Sequence, residues 1–465
     1  MNPAGTQSEL LRAPTAAELA RMHSWTQVWL QRLVDAILQP STFLAAIVWL
    51  FGGTFADVAV IAVAAAMSYA LGSIIMPFAL ARVDDIRLVL LGASVVRAIA
   101  SAIIAVVGWR ASSMENDAIV LWLVIGVLFY QVSSAANVSR NPRSFIANQD
   151  QPTSARSRQL VGALAGVLGG IIAWRALGNK EITFDEAAGM LLFLGGAASL
   201  GSVWFQITAP VRYEDLHQKL PVPEMRDVQR VLENPEIRRY IWVRLLLGLA
   251  TFADPFLIIF GIDQMRFNLW YVGAVVLAVV LSQIAGGIIW TFFGDMPGSR
   301  KAIQFAAILR FGATTLAVAV PFVATSSWYE STFESQTLVS WMFVSVFFLI
   351  GLSQNTLSRN EQHYAMNRLR DGALFPALDL VLNTVLVLIA LTPFIGVALI
   401  EITNLRVAIA IAAGVAFVAF LSTAFLVARR KLRRKRLGMD THLGVRPPRN
   451  RAERTGKVKI RRLKK

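Results

Sequence analysis

The feature that most constrains this chain is a succession of apolar runs too long and too continuous for a water-soluble fold. Segments such as Val58–Met67 and Ala274–Val280 carry no polar residue at strand or surface-helix spacing. About 18 or more such residues cross the roughly 30 Å hydrocarbon layer as a helix. Strands of a membrane barrel would alternate over about ten residues, and these runs do not. Charged residues make up 16% of the chain, against roughly 25% in soluble domains. The bilayer is therefore the solvent, and the expected fold is an all-α polytopic membrane protein.

Twelve transmembrane helices are expected, over 29–51, 56–80, 88–109, 118–139, 158–177, 186–208, 239–261, 268–293, 301–323, 338–358, 371–396 and 402–428. The first 28 residues carry Glu9, Arg12, Glu18 and Arg21 and lack the apolar core of a signal peptide,. With the N-terminus inside, the inner loops and N-terminal arm hold 19 Lys and Arg, and the outer loops hold only Arg110, Lys180 and Arg266. Basic residues resist translocation, so both termini are expected in the cytoplasm. A plasma (inner) membrane location is expected with them.

An internal repeat divides the chain. Arg87 and Arg97 open span 3, and Arg300 and Arg310 open span 9, at an offset of 213 residues. Arg32 and Arg244 lie early in spans 1 and 7, and Arg156-x-Arg158 and Arg368-x-Arg370 open spans 5 and 11, both at an offset of 212. Ser139-Arg140-Asn141 and Ser358-Arg359-Asn360 end spans 4 and 10. Matches in the same order at a nearly constant offset indicate duplication. Six spans per half insert both halves the same way round, giving two parallel-repeat six-helix bundles. The expected organisation is a cytoplasmic arm (1–28), a first bundle (29–208), a central cytoplasmic loop (209–238), a second bundle (239–428) and a basic disordered tail (429–465). Within the central loop, an amphipathic stretch at Met225–Leu232 has the pattern of a helix lying on the membrane surface.

This arrangement resembles the major facilitator superfamily over roughly 25–430. The loop between spans 8 and 9, Asp295-Met296-Pro297-Gly298-Ser299-Arg300-Lys301, is similar to the family's signature loop. Its first-half counterpart, Ala81–Arg87, is degenerate. The resemblance implies secondary transport by alternating access, with Asp295, Gly298, Arg300 and Lys301 forming a cytoplasmic gate loop. A glycine run in span 5 (Gly162, Gly166, Gly169, Gly170) approaches the exporter-associated motif but lacks its proline, and no direction of transport follows from it.

Ionisable side chains inside a bilayer are costly and mark cavities or partners. The candidates for proton or cation coupling, or for substrate contact, are Asp35, Asp254, Asp379, Arg32 and Arg244. Arg97 and Arg310 are intramembrane arginines nine residues past the inner ends of their spans, roughly 14 Å deep. A static Arg–Asp pair is the competing role for the carboxylates. Pro40 follows Asp35 by five residues and Pro255 follows Asp254 directly, and prolines that free backbone carbonyls are common where helices line sites. Gln131, Asn137, Gln354, Asn355 and Asn383 are polar cavity candidates, with glue between helices as the alternative.

The tail begins Arg429-Arg430-Lys431-x-Arg433-Arg434-Lys435-Arg436, a composition suited to anionic lipid headgroups; nucleic acid is not expected as a partner. No cysteine is present, which removes thiolate metal sites and catalytic thiols,. No P-loop occurs, so ATP is not expected to drive the chain. No cofactor or metal is expected, and the chain is expected to act as a monomer. The expected partners are a small-molecule substrate and a coupling ion, proton or sodium. A transport-inactive membrane scaffold or sensor is the alternative. An integral-membrane enzyme fits less well, because His23, His217, His363 and His442 are scattered.

Overall fold

The computed structural model describes residues 16–83, 86–139, 152–208, 222–292, 300–324, 336–369 and 372–426. Among them every regular element is a helix. Ten helices are long and apolar enough to cross a membrane. Two further apolar stretches, Gly162–Gly178 and Trp270–Gly286, belong to the longer helices Pro152–Gly178 and Trp270–Phe292. Together they make twelve spans, numbered in chain order. "Inner" denotes the side on which span 1 begins.

The packing repeats between halves. In the first half, span 1 packs on spans 5 and 6, span 3 on spans 4 and 6, and span 2 on span 4. In the second half, span 7 packs on spans 11 and 12, span 9 on spans 10 and 12, and span 8 on span 10. Every contact in one list becomes a contact in the other when six is added to each number. The halves meet through spans 2 and 11 and through spans 5 and 8. Exchanging the halves maps this interface onto itself, as a two-fold axis along the membrane normal requires. The parallel repeat expected from the arginine spacing is therefore the architecture observed.

Short outer turns are set by caps. Thr54 and Asp57 form a capping box that starts span 2 (Phe55–Arg82). Thr183 and Glu186 exchange hydrogen bonds with each other's backbone amides at the start of span 6 (Phe184–Thr208). Asn404 accepts from the Val407 amide to start span 12 (Leu405–Ser422). Such caps satisfy amides that have no partner inside the helix. Small residues bring spans 3 and 6 together. A Cβ on Gly196 would lie 2.7 Å from Ala105, and Ser101 and Ser199 share a 2.6 Å hydrogen bond. Apolar side chains left outward on span 3 (Leu88, Val95, Ile99, Val106) form the stripe a bilayer would cover,.

Three spans are broken. Span 1 runs as a helix over Ala16–Ile37, turns at Leu38 and Gln39, and continues through a π-helical turn, Pro40–Leu44, into Ala45–Leu50. Its helix begins well before residue 29, so the expected N-terminal arm is partly helical. Span 7 runs over Pro235–Leu249, breaks at 250–253 and restarts as Asp254–Ile259 with Pro255 in its first turn. Span 11 divides at Leu391 into Phe375–Ala390 and Thr392–Ile402, where one continuous span ending at 396 was expected. Proline lacks the amide that would continue each ladder. Span 10 (Gln336–Met366) runs eight residues past its expected end, because the helix continues beyond the apolar run that hydropathy detects.

The amphipathic helix Met225–Glu233 forms as expected, but its apolar stripe faces protein instead of lipid. Val231 is buried and Val228 packs beside it, in a cluster with Ile237, Leu378 and Phe375 at the inner ends of spans 7 and 11. Asn234 then caps span 7 and donates to the Arg368 carbonyl at 3.3 Å.

Candidate functional site

The break in span 7 determines what lies at the middle of the second half. The Asp254 amide turns back to the Thr251 carbonyl, so the Ala250 carbonyl loses the amide that a continuous helix would supply. Arg310 of span 9 donates to that carbonyl through Nη2 at 2.6 Å. It also holds Asp254 in a two-pronged ion pair, Nη1 to Oδ2 at 2.9 Å and Nη2 to Oδ1. Both side chains are buried, 3% and 8% exposed. Gln354 of span 10 donates to the same carboxylate at 3.4 Å. A two-pronged pair with an extra donor is the geometry that offsets desolvation of buried charge.

The first half answers with a different chemistry. Arg97 of span 3, equally buried, reaches no carboxylate directly among the described residues. It donates to the Gln31 side-chain oxygen and to the Tyr130 hydroxyl at 3.0 Å, and stacks over the Tyr130 ring at 4.9 Å. Gln31 passes the connection on, donating to Asp35 at 2.8 Å. Asp35 and Arg32 lie 3.7 Å apart with 40% and 51% of their side chains exposed. Asp35 is thus a loosely held carboxylate at the end of a relay, and Asp254 a clamped one.

The symmetric arginines Arg32 and Arg244 also part company. Arg244 pairs with Glu361 of span 10 at 2.6 Å, both nearly buried, and Glu361 accepts from the Tyr240 hydroxyl at 3.4 Å. Glu361 was expected in a loop, and only the extension of span 10 brings it to Arg244. Asp379 accepts from Asn383 within span 11. Tyr69 of span 2 lies within electrostatic range of Asp379, Asp35 and Glu361.

A small cavity sits where the breaks in spans 1 and 7 face each other. It is lined by Gln39, Ser41, Thr42, Asp254, Gln354 and the apolar Phe347, among others. Its free space, about 10 Å³, admits about one water centre. Above it the halves are closed. A Cβ on Gly273 of span 8 would lie 2.3 Å from the Trp174 Cα of span 5, and one on Gly170 would lie 2.9 Å from the Leu277 Cα. Phe55 meets Phe256 edge-on at 6.0 Å, joining spans 2 and 7. The glycine run of span 5 is a seam with two faces: Gly166 and Gly170 abut span 8, and Gly162 and Gly169 abut span 1.

The remaining candidates divide. Gln354 reaches the cavity. Asn355 donates to the Gln283 carbonyl of span 8 at 3.0 Å, which makes it glue. Asn383 bonds within its own helix. Gln131 is half-buried on span 4. Arg300 and Lys301 start span 9, with Lys301 exposed. Asp295, Gly298, the side chain of Asn137 and the basic tail lie outside the described residues. Sequence reasoning missed Gln31, Tyr130, Gln39, Ser41 and Thr42, whose neutral side chains stand out from no apolar helix by charge.

No family profile and no curated protein matches the sequence. Solved structures do. A mutant of the nucleoside transporter NupG superposes with a TM-score of 0.61 at 16% identity, over 88% of this chain and 99% of that one. The human organic anion transporter MFSD10 gives 0.51 at 15%, over 88% and 100%. A POT family transporter in complex with a thioalcohol-conjugated peptide gives 0.57 at 13%, over 87% and 94%. The fold is the one these three transporters share. Those three proteins are a nucleoside transporter, an organic anion transporter and a POT family transporter bound to a peptide, so the fold itself selects no cargo.

Proposed function

We propose that this chain is a secondary transporter that carries a small solute by alternating access, driven by a proton or sodium ion. The observation that carries the reading is the self-mapping interface, spans 2 with 11 and 5 with 8, which surrounds a polar cavity between two broken helices. Rocking about such an interface exposes a site on the axis to one side at a time. The closed outer seam and the exposed Arg32–Asp35 pair fit a state with its access on the inner side. The protein works as a monomer in the plasma membrane with both termini in the cytoplasm, where the basic tail meets anionic lipid.

Coupling falls to Asp35. It is reachable, it is held by a loose ion pair, and Gln31 connects it to buried Arg97. A change of charge on Asp35 is thereby communicated to the centre of the first half. Asp254, clamped by Arg310, keeps the break in span 7 in place. Asp379 is a second carboxylate within reach of the same space.

Flux into proteoliposomes of a broad solute panel, with and without a proton or sodium gradient, tests this. Asp35→Asn is expected to bind solute and exchange it across the bilayer while losing acceleration by the gradient. Undiminished acceleration in Asp35→Asn would remove Asp35 from the coupling step.

A further inference from the structure

The cavity between the broken helices is lined by polar groups, and one of them, the Thr42 hydroxyl, is buried without a partner. Thr42 is 3% exposed, and its hydroxyl has no hydrogen-bond partner. A buried hydroxyl left unpaired is costly, and native proteins rarely keep one without a use. Ser41 and Gln39 line the same space beside it. All three sit at the start of the π-helical turn Pro40–Leu44, a geometry that often marks functional positions in helices. Opposite them stands Gln354, which makes only a long 3.4 Å bond to Asp254.

Among the described residues, the one charged side chain lining this cavity is Asp254. Arg310 already occupies both of its oxygens. A cationic solute would approach a carboxylate whose charge is cancelled, with a guanidinium directly behind it. An anionic solute would find Arg310 turned to Asp254 and to the Ala250 carbonyl. Either charge would lose its hydration with no counter-charge to replace it. Hydroxyl and amide groups of an uncharged solute lose nothing of that kind, and they meet the unpaired Thr42 hydroxyl and the weakly held Gln354 amide.

We infer that this cavity, which has room for about one water in the state described, and widens to take solute as the halves rock, selects uncharged, hydroxyl- or amide-bearing solutes, with Gln39, Ser41, Thr42 and Gln354 taking their polar groups and the Arg310–Asp254 pair excluding charged analogues. The inference rests on the transport reading and adds the substrate class to it. Thr42 and Ser41 are specificity-determining residues in this scheme. Because the Thr42 hydroxyl has no hydrogen-bond partner within the protein, replacing it by a methyl removes a solute contact and no internal one.

The test uses the purified full-length protein and solutes matched except for charge. Uridine is set against uridine 5′-monophosphate, and glucose against glucose 6-phosphate and glucosamine, with choline as a compact cation. Thermal stabilisation titrations read affinity, and uptake into proteoliposomes reads transport. The expected result is binding of at least one neutral member, with its charged partners at least tenfold weaker. In Thr42→Val the affinity for that neutral solute falls about tenfold while the unfolding temperature of the solute-free protein is unchanged or higher. Tighter binding of a charged member, or no binding of any neutral one, overturns the inference. So does a Thr42→Val protein of unaltered affinity. A neutral solute that binds yet is never moved would instead overturn the transport reading and leave the selectivity of the site standing.

Discussion

Arg310 and Asp254 show how one residue's position decides another's role. The pair is buried, two-pronged and joined to a backbone carbonyl that the helix has abandoned. Removing one member of a buried pair leaves an uncompensated charge and costs about 3–5 kcal/mol. Asp254→Asn is therefore expected to lower the unfolding midpoint sharply. Asp35→Asn, in an exposed pair, is expected to change stability by about 1 kcal/mol or less. Thermal unfolding of the two variants side by side checks this; equal losses would contradict the division between a clamp and a coupling group. At this scale the sequence was half legible. Arginines and aspartates are conspicuous in apolar helices, so both were found. Their partners were not, because Gln31 and Tyr130 look like ordinary helix residues and Glu361 lies beyond the apolar run of span 10.

Among elements, hydropathy located the spans, and proline located the breaks in spans 1 and 7. It could not tell that span 11 divides at Leu391, since both pieces are equally apolar. Nor could it say where the amphipathic helix Met225–Glu233 would put its apolar side. A stripe of Val228 and Val231 suits a membrane or a protein equally well, and the inner end of span 11 was the nearer surface. The seam between spans 5 and 8 has consequences of its own. Backbone contact at Gly273 leaves no room for a methyl group, and forcing one into a packed contact costs about 1–3 kcal/mol. Gly273→Ala is expected to penalise the state with the outer side closed. In a Ser41→Cys background, otherwise free of cysteine, a membrane-impermeant thiol reagent added outside should then react several-fold faster. An unchanged rate would show that this seam does not gate the cavity.

For the whole molecule, the duplication was readable before any coordinates because arginine is too expensive in a bilayer to recur by chance at matching positions. Most of the helix contacts within the two halves then correspond span for span. The chemistry does not: Arg310 meets a carboxylate, Arg97 meets a glutamine and a tyrosine, Arg244 has a partner on span 10 and Arg32 one on its own helix. A symmetric frame with an asymmetric interior is the physical content of the account. In the proposed mechanism the frame rocks and the interior distinguishes solute from ion.

Reciprocal motion of the halves is measured most directly by electron spin resonance distances on two labelled pairs. The chain's lack of cysteine allows the labels to be placed without removing anything. Asn179→Cys with Asn268→Cys reports the outer ends of spans 5 and 8, and Arg82→Cys with Ala373→Cys the inner ends of spans 2 and 11. The account predicts two distance populations in each pair, and conditions that lengthen the outer distance shorten the inner one. A single distance in both pairs, unmoved by solute or by an ion gradient, would contradict it.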